Sequence, residues 1–438
     1  MRTISFITMG CAKNEVDSAH MAELLSAAGY AISEDPDSAD AIIVNTCSFI
    51  QEATEESIEA VLDAAESESA VERGAKIIVA GCMPARYGSD LEAEFPEVAA
   101  FVPCAREGDI ACIIDSLFGE EENAGNGSKV PEAPLWTPQY GDNGPSAYVK
   151  ISDGCDRFCA YCAIPFIRGR YHSFSFEHIH EEVSLRIRQG AREIVLIAQD
   201  TGRWGDDLDP KSTLALLVAK LAEEFTDTWF RVLYIQPEGI TDELIDAVSK
   251  HDNICSYFDI PFQHVVPRIL SRMNRKGSGD EFMALLEHIR TCIPDAALRT
   301  TLIAGFPGET DEDFEELCAF VEDAPLDYVG VFAFSPEEGT RACSYEDQID
   351  EDEKAYRAQR LRDIADDSCG ARIARRIGEE TNVLVCGREV DGQLFGRAEC
   401  QAPDVDGVIY LDEGREGSFV RVRITGTLLY EMEGELLA

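Results

Sequence analysis

Cys155, Cys159 and Cys162 stand in the stretch SDGCDRFCAYCAIPFIRGR, spaced C-x3-C-x2-C directly after a strand-like run. Three thiolates in one tight loop can hold three corners of a cubane iron-sulfur cluster and leave the fourth iron open to a non-protein ligand. A zinc site would ask for a fourth Cys or His close by, and the local candidate, His172, lies ten residues on. A second set is spread along the chain: Cys11 follows FITMG, Cys47 follows IIVNT and Cys82 follows IIVAG. Each ends an apolar run, so neighbouring parallel strands would bring all three thiols to one sheet edge, where ligands of open α/β folds commonly bind. The plainer alternative is a small residue at each of three tight turns. A third stretch, TLIAGFPGETDEDF at residues 301–314, reads as a strand, a glycine-rich turn and a helix capped by Thr310. It has no Lys-Ser/Thr pair, so it is not a phosphate-binding loop of the Walker type.

The elements that must position these residues are β/α units. Residues 1–118 alternate strand-like runs (TISFIT, AIIVNT, KIIVAG) with helix-like ones, the pattern of a parallel sheet flanked by helices. A stretch rich in Gly, Pro, Asn and acid follows and reads as a linker over 119–140. Over 141–372, six strand candidates (YVKIS, EIVLIA, FRVLYI, CSYFDI, LRTTLIAG and YVGVFAF) each precede a helix-compatible stretch. Six such units predict a partial barrel with its site at the carboxyl ends of the strands. Gln199, Asp200, Gln236 and His264 fall near those ends and are candidate lining residues. Residues 373–438 read as a small all-β barrel. The fold class is therefore α/β with an all-β appendage.

The 438 residues are 45% hydrophobic, and no run approaches the roughly 18 apolar residues of a membrane span. Against 38 Lys and Arg stand 83 Asp and Glu, a formal charge of −45, which repels phosphate backbones and favours basic partners. The tail from Arg375 holds seven Arg, no Lys and thirteen acids, a net −6, and so lacks a basic footprint for RNA. Fifteen cysteines without a secretion signal predict a reducing, cytoplasmic setting and metal or catalytic use. Nine of them, Cys104 included, match no ligand motif and read as packing residues.

With Tyr161 as the aromatic before Cys162, the motif C-x3-C-x-aromatic-C after a first barrel strand resembles that of radical S-adenosylmethionine (SAM) enzymes. The two three-cysteine sets, the linker and the β tail together resemble the methylthiotransferase family over nearly the whole length. The wording GCAKNEVDS, together with EIVLIAQDTGRWGDD, PEEGTRA and QAPDVDGVIY, is similar to the branch that acts on a ribosomal protein. That resemblance implies an amino-terminal methylthiotransferase domain, a partial radical SAM barrel and a carboxyl-terminal TRAM barrel. It implies two 4Fe-4S clusters, one on Cys11, Cys47 and Cys82 and one on Cys155, Cys159 and Cys162. S-adenosyl-L-methionine would lie against Gly305, Phe306, Pro307, Gly308, Glu309 and Tyr161, and no separate catalytic residue is named. It implies transfer of a methylthio group to the β-carbon of an aspartate in the twelfth protein of the small ribosomal subunit. The partners are that basic ribosomal protein, an external electron donor and a sulfur source, with the enzyme itself a monomer. The alternatives are a methylthiotransferase for transfer-RNA adenosine and, in another class, a non-catalytic iron-sulfur sensor that binds nucleic acid. Two departures stand out: Ala12 replaces the family's usual proline, and Phe174 interrupts its Ser-Arg pair.

Overall fold

The computed structural model describes residues 1–119 and 145–437. Most of the expected linker, 120–140, lies outside the described residues.

Five parallel strands form the first sheet: β1 (Thr3–Thr8), β2 (Ala31–Ser33), β3 (Ala41–Thr46), β4 (Lys76–Gly81) and β5 (Val98–Pro103), in the order β2-β1-β3-β4-β5. Every residue of β3 is buried, as expected for a strand covered on both faces. Alternation divides it: Ala41 and Ile43 pack with Met21 and Leu25 of helix α1 (Ala12–Ala27), while Ile42 and Val44 pack with Val61 of helix α2 (Gln51–Glu66). Because β1, β3 and β4 are neighbours, the chain leaves their carboxyl ends side by side.

The six expected barrel strands are all present: β6 (Ser146–Lys150), β7 (Glu193–Ile197), β8 (Trp229–Val232), β9 (Tyr257–Asp259), β10 (Ala297–Ala304) and β11 (Tyr328–Ala333). They run parallel in chain order, as two three-stranded sheets joined by a bridge between Phe230 and Ile254. The barrel is open between β6 and β11. Helix α1 of the first domain packs against β6, and the long helix α3 (Glu351–Ile373) lies along β11.

Five further strands, β12 (Glu380–Arg388), β13 (Leu394–Ala398), β14 (Ile409–Leu411), β15 (Phe419–Leu428) and β16 (Glu431–Leu436), close into the expected small barrel. Its core is continuous with the lumen of the larger one: Val195, Ile197, Leu233 and Tyr257 share an apolar cluster with Val383, Leu394, Ile409 and Val422. A buried ion set fastens the join. Glu193 accepts from Arg231 of the barrel and Arg397 of the tail, both at 2.8 Å, and Arg231 also donates to the carbonyl of Glu399 at 2.6 Å. Tyr257 donates to Asp406 at 2.6 Å. Since Glu193, Tyr257 and Tyr328 begin their strands, the tail seals the amino-terminal end of the barrel and leaves the carboxyl end to the first domain.

Burial alone would raise the Glu193 carboxyl, but Arg397 and Arg231 hold it at about 2. Its folded pKa lies below the unfolded value, so this contribution is complete above pH about 4.5 and is lost as pH falls through about 2. Glu193→Ala would leave two buried guanidiniums without their shared anion. It should cost about 3–5 kcal/mol in a denaturant titration, and an unchanged midpoint would show that the tail is held by apolar contact alone.

Candidate functional site

Two glycines allow the amino-terminal thiols to meet. Gly10 has φ +94°, and a Cβ there would sit 2.4 Å from Cβ and 2.9 Å from Sγ of Cys47. Gly81 has φ +91°, and its Cβ would lie 2.2 Å from Oδ1 of Asn45 and 2.7 Å from the carbonyl of Thr46. Each position thus excludes a side chain by backbone and by space. Asn14, in the first turn of α1, donates through Nδ2 to the carbonyl of Thr46 at 2.9 Å. Its Oδ1 lies 3.8 Å from Sγ of Cys11 and 3.9 Å from Sγ of Cys82. Asn45 answers by donating to the Asn14 carbonyl and to Ser18 Oγ, both at 2.9 Å. The Cys47 backbone is fixed by Ser57, whose Oγ accepts from its N–H at 3.0 Å and donates to its carbonyl at 2.8 Å.

Cys104 is more than a packing residue. It follows β5 as the other three follow β1, β3 and β4, and its thiol is hydrogen-bonded to Cys82. That bond, opposed by burial and helped by Arg168, holds the Cys82 thiol down at about 6. Burial pushes the Cys47 thiol up to about 11. The signal for Cys104 was present in the sequence, since FVPC repeats the strand-then-cysteine pattern a fourth time.

The barrel triad sits on a loop held at several points. Gly154 has φ +72°, and a Cβ there would be 2.3 Å from the carbonyl oxygen of Arg170. Cys155 donates its N–H to Gly169 at 3.2 Å, Ala160 to Met273 at 2.9 Å and Cys162 to Cys159 at 3.1 Å. Asn274 donates through Nδ2 to the carbonyls of Arg157 and Phe158, at 2.9 and 3.1 Å. Arg157 meets the fully buried Asp200 at 2.6 Å, so Asp200 anchors the loop. Tyr161 and Arg275 both hydrogen-bond to Cys159. Burial, then the charge of Cys159, pushes the Cys162 thiol well up.

Each triad is thus three free thiols, a donor set of the kind that an iron-sulfur cluster takes once deprotonated.

The turn at Gly305–Glu309 follows β10, with Thr310 capping the next helix in a capping box with Asp313. The Glu309 carboxylate turns inward. It accepts from the Gly305 N–H at 3.0 Å, from Arg357 at 2.9 Å and from His264 at 3.2 Å. Phe306 is fully buried, edge-on to Phe334 at 5.2 Å. Gly308, at φ +80°, lies against Asp347, and Arg272 donates to the Pro307 carbonyl at 3.1 Å. Glu309, Phe306 and His264 therefore build the turn, and its backbone is what the turn offers to a ligand. Gln199 and Gln236 behave differently. Both amide atoms of Gln199 and Oε1 of Gln236 are buried and find no partner among the described residues.

One barrel residue ties the two triads together. Arg168 reaches Asp17 of α1 at 2.8 Å, Asn14 Oδ1 at 3.1 Å, Asp153 at 3.4 Å and Sγ of Cys82 at 3.8 Å. Lys150 pairs with the same Asp17 and, at 3.2 Å, with Asp153. Burial would raise Asp153, but Lys150 and Arg168 hold it at about 2. A second tie joins Arg86 to Glu337 at 2.9 Å, and Glu337 also accepts the N–H of Gln51 at 2.9 Å. Arg168→Ala should cost about 3–5 kcal/mol and open the junction to limited proteolysis, with Arg168→Lys recovering only part because the planar fork is lost. Resistance equal to that of the unaltered protein would remove Arg168 from this role.

Residues 3–103 match the uncharacterized protein family UPF0004, residues 149–321 the radical SAM superfamily and residues 377–437 the TRAM domain. The ribosomal protein uS12 methylthiotransferase RimO of Natranaerobius thermophilus is 39% identical over 438 residues, covering 99% of this chain and 98% of its own. The protein of the same name from Geobacter sulfurreducens is 40% identical over 446 residues, covering 99% and 98%. Among solved structures, the radical SAM methyltransferase TsrM of Kitasatospora setae, with cobalamin and a [4Fe-4S] cluster bound, superposes with a TM-score of 0.57 at 12% identity over 78% of this chain and 77% of that one, a likeness of fold. Covered over 99% of its length by relatives of one name at 39% and 40% identity, the chain belongs to the family of ribosomal protein uS12 methylthiotransferases.

Proposed function

We propose that the protein transfers a methylthio group to the β-carbon of an aspartate in ribosomal protein uS12 by radical SAM chemistry. The observation that carries this reading is the placement of two three-thiol sets on either side of one interdomain junction, with Arg168 in contact with the frame of both. Cys11, Cys47 and Cys82 would hold one [4Fe-4S] cluster and Cys155, Cys159 and Cys162 the other, each with one iron free for a non-protein ligand. When bound, the clusters and S-adenosylmethionine supply the hydrogen-abstracting radical, the sulfur and the methyl group.

The chain's own residues hold and enclose. An unactivated C–H bond offers no acidic proton, so acid-base groups have nothing to contribute at the β-carbon. In keeping with this, His264 is committed to Glu309 and to the N–H of Val266. Tyr161 and Arg275 fix the Cys159 thiolate, and the backbone from Gly305 to Glu309 forms a wall for the nucleoside. The ion pairs among Asp17, Lys150, Asp153 and Arg168 set the distance between the domains. The sealed lower end of the barrel leaves substrate to enter where the domains meet.

The acidic chain suits a basic protein substrate better than RNA. Several tail arginines are already paired: Arg397 with Glu193, Arg376 with Glu379 and Arg423 with Glu380. An external electron donor and sulfur source, a monomeric state and a cytoplasmic setting complete the reading.

Anaerobically reconstituted protein, given reductant, S-adenosylmethionine and uS12, should add one methylthio group to one aspartate by mass spectrometry and leave transfer RNA unmodified. Cys159→Ala should keep the iron of the amino-terminal set and lose 5′-deoxyadenosine formation. Persistence of that product would refute the assignment of the barrel triad.

A further inference from the structure

Lys13 is buried, only 9% exposed, yet it makes no hydrogen bond or ion pair among the described residues. Its ammonium lies 3.7 Å above the centre of the Tyr234 ring, so a residue of the first domain reaches into the carboxyl end of the barrel. The charged groups facing it are Cys11, Arg168, Asp153 and Asp259. Both carboxylates already have cationic partners: Asp153 has Lys150 and Arg168, and Asp259 has Arg299 at 3.0 Å. Burial lowers the Lys13 pKa, the facing carboxylates are engaged elsewhere, and its ammonium rests on an aromatic face, so an anion brought by a ligand would be well received there.

The ring beneath it is deliberately placed. Tyr234 has φ +63°, a conformation a bulky side chain adopts only under constraint. It is pinned there by its N–H to Asp259 at 2.9 Å and by Thr201 Oγ1 donating to its carbonyl at 2.8 Å. Thr201 is two residues from Gln199 and Tyr234 two from Gln236, both of which have buried amide atoms that find no partner among the described residues. Lys13 thus reaches the carboxyl end of β8 beside Cys11, and Gln199 and Gln236 follow the ends of β7 and β8.

We propose that Lys13 receives the side-chain carboxylate of the substrate aspartate, while Gln199 and Gln236 bind the peptide groups on either side of it. This rests on the uS12 reading above. The ammonium is a specificity-determining group: it selects an acidic side chain and turns its β-carbon toward the space between the two triads. An Asn side chain, of nearly the same shape, would accept a hydrogen bond from the ammonium but leave its charge unmatched.

The test uses the reconstituted full-length protein and two synthetic uS12 peptides, one with the target Asp and one with Asn in its place, in anaerobic calorimetry. A charge-assisted hydrogen bond corresponds to a preference of roughly ten- to a hundredfold for the Asp peptide. Lys13→Met should abolish that preference and raise KM for the Asp peptide, and Lys13→Arg should restore part of it. Equal binding of the two peptides by the unaltered protein would overturn the proposal without reference to any variant. So would a Lys13→Met protein that keeps the preference, or one that instead weakens S-adenosylmethionine binding, since the carboxylate would then belong to the cofactor. If the unaltered protein binds the Asp peptide selectively but does not methylthiolate it, the functional reading fails while the carboxylate site stands. Failure to bind either peptide overturns both.

Discussion

The Arg168 guanidinium is the point at which two separately folded sites become one. Its chain position belongs to the barrel, six residues beyond Cys162, yet its contacts are Asp17, Asn14 and Cys82 of the first domain. With its side chain 2% exposed, it has no water to fall back on and needs each of these acceptors. Asn14 in turn bonds Thr46, and Asn45 bonds Asn14, so the position of Arg168 is felt at the ends of β3 and β4. A small displacement of α1 would therefore move both the thiols it helps to gather and the barrel loop it is paired with.

The other end of the barrel makes that junction the way in. Glu193, Arg231 and Arg397 bury an ion set at the first residues of the strands, and apolar residues of the tail continue into the lumen above it. A barrel open at both ends would admit water to a radical reaction from below. Sealed by the tail and flanked by α1 on one edge strand and α3 on the other, it is left with the face the first domain covers.

Much of this was legible because it is periodic. Six apolar runs followed by six amphipathic ones can hardly be read otherwise than as β/α units, and their strands fall where the runs are. The cysteine sets were legible for a related reason: a thiol placed after a strand is carried to a sheet edge by topology alone. The same rule applied to FVPC, a fourth strand followed by a cysteine. What periodicity cannot reveal is which long polar side chain bridges which elements. Asp17, Lys150, Asp153 and Arg168 look in sequence like ordinary helix and loop charges, and their burial follows only from docking two domains. Likewise Glu309 looked like a cofactor contact within GFPGET, whereas Arg357, 48 residues further on, turns it toward the loop's own backbone.

The signs of charge divide by range. Few of the 83 acids are buried, so the outer field of the molecule is negative and draws basic partners over a range set by the Debye length, about 10 Å at 0.1 M salt and longer in more dilute salt. At the junction Lys150 and Arg168 pair with Asp17 and Asp153, while Lys13 faces Asp153 and Asp259 without pairing to either. Far charges steer a whole protein, whereas a buried charge selects one side chain, since desolvation makes an unmatched partner expensive only at contact. An acidic exterior thus suits the approach of a basic protein, and on the proposal above the Lys13 ammonium at the junction would take up one aspartate of it.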